Sequence, residues 1–102
     1  MKTYYKNFTH RQLDSLIHNR LRLAILSAVA HSEEVDFMSL KNAVKTTDGN
    51  LSIQLKKLEE AGYIAINRSV QISRKQTNVA LTNKGFNALQ EYKALILDWL
   101  NL

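Results

Sequence analysis

Apolar residues recur at Leu13, Leu16, Ile17, Leu21, Ile25, Ala28 and Val29, the spacing of one helical face. Two helices are expected from this run, because Asn19 has a side chain suited to capping a second start. The first is a short N-terminal helix over about residues 9–18, with Thr9 and Gln12 as a capping box. The second is a core helix ending near His31. Val35-Asp36-Phe37 has room only for a stub of strand, after which Ser39 can cap a brief helix with Leu40, Ala43 and Val44 inward. Thr47 is a good N-cap for the next helix, from Asp48 to Ala61, and Gly62 is a natural left-handed stop. Two short helices joined by so tight a turn, over about 39–61, form a helix-turn-helix pattern.

The period changes at Tyr63. Tyr63-Ile64-Ala65-Ile66 is β-prone, and Thr77, Val79 and Leu81 alternate along a second strand. A β-hairpin is expected over about 63–81, with a long basic loop around Ser73-Arg74-Lys75. Thr82 then caps a last helix over about 83–101, with Leu81 and Phe86 placed for a hydrophobic staple. One stripe of that helix, Phe86-Leu89-Tyr92/Ile96, can serve its own core. The other, Leu95-Trp99-Leu102, is more apolar surface than a small monomer should expose, so it implies a partner. Leu13, Leu16 and Ile17 offer a second strip that could meet it across a two-fold axis.

Composition narrows the choice of function. With 102 residues, 45% of them apolar, the chain is expected to be one domain, 1–102, with an ordinary core. Zero Cys removes disulfides, thiolate metal sites and cysteine nucleophiles. The polar start, Met1 to Gln12, has no apolar run of signal-peptide length, and no window resembles a membrane span. A cytoplasmic, soluble protein is the expectation. The net charge of +5 decides little by itself, but Lys56, Lys57, Arg68, Arg74 and Lys75 are segregated from Glu33, Glu34 and Asp36. That placement favours nucleic acid over a membrane surface.

On a helical wheel Leu51, Leu55 and Leu58 share one side, and Gly49, Asn50, Ile53, Lys56 and Lys57 fall opposite, with Ser52 flanking. Amide, hydroxyl and ammonium groups near a helix N-terminus suit the major groove of double-stranded DNA. Asn50 can read a base edge, Ser52 a base or phosphate, and the lysines can supply phosphate charge. Gly49 leaves room for a close approach of the backbone, and Thr47 stands at the head of the same surface. Arg74 and Lys75 at the hairpin tip would reach the minor groove or adjacent phosphates.

Thr47-Asp48-Gly49-Asn50-Leu51-Ser52, the block Leu55 to Ile64, Arg74-Lys75-Gln76-Thr77 and Leu81-Thr82-Asn83-Lys84-Gly85 together resemble the small winged-helix regulators allied to the MarR and ArsR families. The resemblance covers roughly Asn19 to Leu95. It implies a mainly α fold with a small β-hairpin (α+β), a winged helix-turn-helix with N- and C-terminal dimerisation helices. It further implies a prokaryotic, homodimeric, double-stranded-DNA-binding transcription regulator acting on a pseudo-palindromic site. Two departures stand out: Lys45-Thr46 where the family usually has Gly then an apolar residue, and a hairpin without Gly or Pro.

Other chemistry is poorly provided for. Asp14 and His18 have i, i+4 spacing but no third ligand, so no metal is expected. Gly49, Gly62 and Gly85 are scattered at helix ends rather than gathered in a phosphate loop. No cofactor, effector or enzyme activity is read from the chain. The alternative reading is a winged helix used for protein contacts or assembly, in which the lysines only solvate the surface.

Overall fold

The computed structural model describes residues 7–71 and 74–102, and the side chains of 69–75 are outside that description. After a 3-10 turn at His10–Gln12 come α1 (Arg20–Ala30), β1 (Val35–Asp36), α2 (Phe37–Val44), α3 (Asp48–Glu60), β2 (Ile64–Gln71), β3 (Arg74–Leu81) and α4 (Asn83–Trp99). The strands form one antiparallel sheet in the order β1-β3-β2, with Val35 opposite Val79 and Ile66 also opposite Val79 from the other side. This is a winged-helix α+β fold.

Side-chain caps set the helix starts. Asn19 accepts from the Leu21 and Arg22 amides, Thr47 from Asn50 and Thr82 from Gly85. The cap of α2 is Asp36, not Ser39, and it accepts from the Ser39 amide at 3.1 Å. Hydrogen bonding from Ser39 holds the Asp36 carboxyl below its ordinary pKa.

The predicted N-terminal helix over about 9–18 is absent beyond the single 3-10 turn. Thr9 makes no side-chain cap there. The 3-10 turn ends at Leu13, which is extended (φ −74°, ψ 131°), and a separate single turn starts at Asp14, whose Oδ1 accepts from the amides of Leu16 (2.9 Å) and Ile17 (3.2 Å) as an N-cap does. The Oδ2 of Asp14 accepts from the Tyr63 hydroxyl, tying the N-terminal segment to the base of the hairpin. That bond, with burial second, pushes the Tyr63 hydroxyl up to about 12.

The core gathers Ile17, Ile25, Leu26 and Val29, then Leu40, then Leu51, Leu55 and Leu58, closed by Ile64 and Val79. Ile17, expected on a partner-facing strip, is therefore wholly buried within its own chain. The inner stripe of α4 keeps the expected Leu89 and Tyr92 but not Phe86. Gly85 is buried, and Ala88, Leu89 and Tyr92 pack on the core behind it, while Phe86 is 49% exposed. Leu81 lies against the core with its Cδ1 over Gly85, so the expected staple gives way to a close approach of α4 to the Tyr63 backbone.

The hairpin strands are longer than expected. Each runs eight residues, with Gln71 opposite Arg74, because no Gly or Pro interrupts the ladder. The basic stretch expected as a long loop is largely strand. Ile72 and Ser73, at the expected tip, lie outside the described residues.

Candidate nucleic-acid interface

Leu51, Leu55 and Leu58 bury one side of α3 to 3% exposure or less, which fixes the rotation of the helix. Thr47, Gly49, Asn50, Ser52, Ile53, Lys56 and Lys57 are consequently all solvent-exposed. The outward centre is Gly49 and Ile53, with Asn50 and Lys57 on one flank and Ser52 and Lys56 on the other. Ile53, at the outward centre, is 55% exposed.

Each flank borders a cleft. Beside Ser52 and Lys56, a cleft of about 330 Å³ separates α3 from the hairpin and is lined further by Phe37, Ile66, Arg68 and Thr77. Arg68, grouped in the sequence with the loop cations, lies within β2 opposite Thr77 and pairs with Glu59 at 3.7 Å. Arg74 and Lys75 begin β3, opposite Gln71 and Val70, and their side chains are outside the described residues.

On the other flank, Gln54 was not singled out by sequence. Arg22 Nη1 donates to its Oε1 at 2.7 Å, and Arg22 Nε donates to the Leu16 carbonyl at 2.5 Å. One guanidinium thus braces α3 against the turn that precedes α1. The i, i+4 relation of Gln54 to Asn50 was the available signal, but its partner 32 residues away had none.

The residues expected at a partner surface differ in exposure within the single chain. Leu13, Leu16 and Leu95 are half-buried, and Leu16 packs on the core. Trp99 is half-buried against Phe8, with ring centroids 5.9 Å apart, and Leu102 is fully exposed. The large apolar residues actually presented by α4 and its C-cap are Phe86, Leu97 and Leu100, at 49%, 60% and 66% exposure. Phe86 and Leu97 border an apolar groove of about 360 Å³ between α1 and α4, floored by Leu23, Leu89, Tyr92 and Ile96. Asp14 and His18, weighed as a metal pair, make separate contacts: His18 Nδ1 lies 2.8 Å from the Tyr92 hydroxyl. No described helix is long and apolar enough to cross a membrane.

The family model described as winged helix DNA-binding domain matches residues 21–99. An uncharacterised protein of Methanocaldococcus jannaschii is 38% identical over 83 residues, covering 81% of this chain and 90% of that one. The structure of a transcriptional regulator homologue from Pyrococcus horikoshii superimposes with a TM-score of 0.70 at 27% identity, over 85% of this chain and 89% of that one. A Bordetella bronchiseptica protein, BpsR, whose DNA binding is regulated by 6-hydroxynicotinic acid, shares the fold at a TM-score of 0.72 and 12% identity, over 87% and 67% of the two chains. The chain belongs to the winged helix DNA-binding domain family and has the architecture of MarR-type transcriptional regulators.

Proposed function

We propose that this DNA-binding regulator is sequence-specific and acts as a homodimer on a pseudo-palindromic duplex, with α3 in the major groove. The observation that carries the reading is the division of α3: three leucines buried, and seven residues suited to bases and phosphates exposed together. Asn50 presents an amide to a base edge, Ile53 meets a thymine methyl, and Ser52 contacts a base or phosphate. Lys56 and Lys57 neutralise phosphates, Gly49 permits close approach, and Thr47 holds the head of the helix in place. Arg74 and Lys75 serve the minor groove or its phosphates from the hairpin.

The dimer seam is assigned to α4. Phe86, Leu97 and Leu100 are large apolar side chains left in water, and each is worth about 1.5–3 kcal/mol when fully buried. Leu95, Trp99 and Leu102 adjoin them, and Leu13 and Leu16 contribute at the edge. A two-fold axis through α4 would present two copies of α3 to successive major grooves, about 34–36 Å apart.

Equilibrium binding to specific and unrelated duplexes tests the reading. Asn50→Ala should cost about 1–3 kcal/mol on the specific site and relax base preference. Lys57→Ala should weaken all duplexes about equally. Retained selectivity in Asn50→Ala would remove that residue from base readout. Absence of salt-dependent binding in the wild type would favour a protein-contact role instead.

A further inference from the structure

The second cleft beside α3, on the flank away from the hairpin, has a volume of about 440 Å³. Arg20 and Leu21 from the start of α1, Val44, Lys45 and Thr46 from the helix-turn-helix turn, and Asn50 from α3 line it. Lys45 sits at φ 55°, ψ 62°, and among the described residues it is the one non-glycine with positive φ. Its amide closes α2 onto the Lys41 carbonyl, the position where helices usually place glycine. A lysine has no conformational advantage there, so the turn itself does not account for the side chain.

The surroundings give that side chain a use. Lys41 is paired with Asp48 at 2.9 Å, which neutralises the acid in the first turn of α3. Among the described residues neither Arg20 nor Lys45 is paired with a carboxylate, and both are exposed. Two unpaired cations therefore share a cleft whose other polar walls are Thr46 and Asn50. The opposite cleft carries Lys56, beside an Arg68 that is paired with Glu59. α3 thus lies between two cation-bearing clefts, as a helix in a major groove lies between two phosphate backbones.

We propose that the Arg20–Lys45 cleft seats a DNA backbone phosphodiester on the edge of the major groove away from the hairpin. The inference rests on α3 being the DNA-reading helix, and it adds a site that the α3 and hairpin residues do not include. Lys45 trades a less favourable turn for a phosphate contact, and Arg20 carries the second charge to the same phosphate or its neighbour. Both fix the register in which Asn50 meets its base, without reading sequence themselves.

The test is a salt titration of duplex binding, run beside thermal melts. Lys45→Gly and Lys45→Asn both suit a left-handed turn, so both should melt at or above the wild-type temperature. Each should nevertheless lower the slope of log K against log salt by about 0.9, a loss of about 3.5-fold in salt response between 50 and 200 mM. Arg20→Gln should do the same and add to Lys45→Gly, with preference among duplexes preserved. Lys45→Arg should keep the wild-type slope. A wild type that binds with a steep slope, beside Lys45→Gly and Arg20→Gln variants that keep it, would overturn this inference and leave the DNA reading intact. A wild type without salt-dependent binding would overturn both.

Discussion

Two glycines, both inside helices and both replaceable by alanine, should respond with opposite signs. Gly85 in the first turn of α4 faces the Tyr63 backbone, and an added Cβ would lie 2.1 Å from the Tyr63 carbonyl oxygen and 2.9 Å from Leu81 Cδ1. Ordinary contact begins near 3.4 Å, so the start of α4 must retreat by roughly 1.3 Å. That retreat strains two bonds that dock α4: Thr82 N–H to the Tyr63 carbonyl (3.1 Å) and Thr82 Oγ1–H to the Gly62 carbonyl (2.6 Å). Each such bond is worth about 0.5–1.5 kcal/mol, and overpacking costs about 1–3 kcal/mol. The helix-propensity gain of alanine returns about 1 kcal/mol at most. Gly85→Ala should therefore destabilise by about 2–4 kcal/mol, which lowers the melting temperature of a domain this size by roughly 10–25 °C. Gly49, by contrast, has nothing within 4 Å of the position a Cβ would take. Gly49→Ala should stabilise by up to about 1 kcal/mol while weakening duplex binding, if the α3 backbone approaches DNA there. Thermal melts followed by circular dichroism decide the pair. A Gly85→Ala variant within about 0.5 kcal/mol of wild type, the scatter of neutral surface changes, would refute the account of how α4 docks.

Tyr63→Phe removes the donor to Asp14 but leaves that carboxylate its two backbone amides, so the cost should be about 1 kcal/mol. Because folding raises the hydroxyl pKa from 10.0 to about 12, this contribution is complete below pH 10 and fades as the pH rises towards 12. Denaturant melts of wild type and variant should therefore converge across that window, and a constant gap would contradict the assignment. Leu97→Glu places a charge on a side chain that is 60% exposed in one chain, so folding should be unaffected while self-association is lost. Sedimentation should show the wild type heavier than the variant at tens of micromolar, near the Kd of a ~10⁻⁵ M association. A monomeric wild type would sink the α4 seam. Trp99 is a poorer probe, since it already packs on Phe8 of its own chain.

Helix α3 was legible in the sequence because its determinants are local. Thr47 caps it, Gly62 at φ 80° follows its end, and three leucines at helical spacing fix which side is hidden. What sequence pattern misplaced depended on contacts across the fold. The expected N-terminal helix is split because Asp14 caps a new turn within it and is held by Tyr63, and the periodicity of Leu13, Leu16 and Ile17 is blind to both. On α4, Leu89 and Tyr92 were legible as inward residues, but Phe86 was placed inward where Gly85 is the buried residue. The burial of Gly85 comes from the Tyr63 carbonyl beneath it, which no helical wheel contains. The Arg22–Gln54 brace and the Arg20–Lys45 cleft were invisible for the same reason: each joins α1 to the helix-turn-helix only after folding.

Selection of bound duplexes from random DNA by the wild-type protein tests the central claim most directly. The account predicts enrichment of an inverted repeat whose half-sites are centred about one helical turn, roughly 10 base pairs, apart. Asn50→Ala should lose preference at one position within each half-site, while the spacing persists. A pool that remains random after repeated selection at low salt would contradict sequence-specific binding through α3.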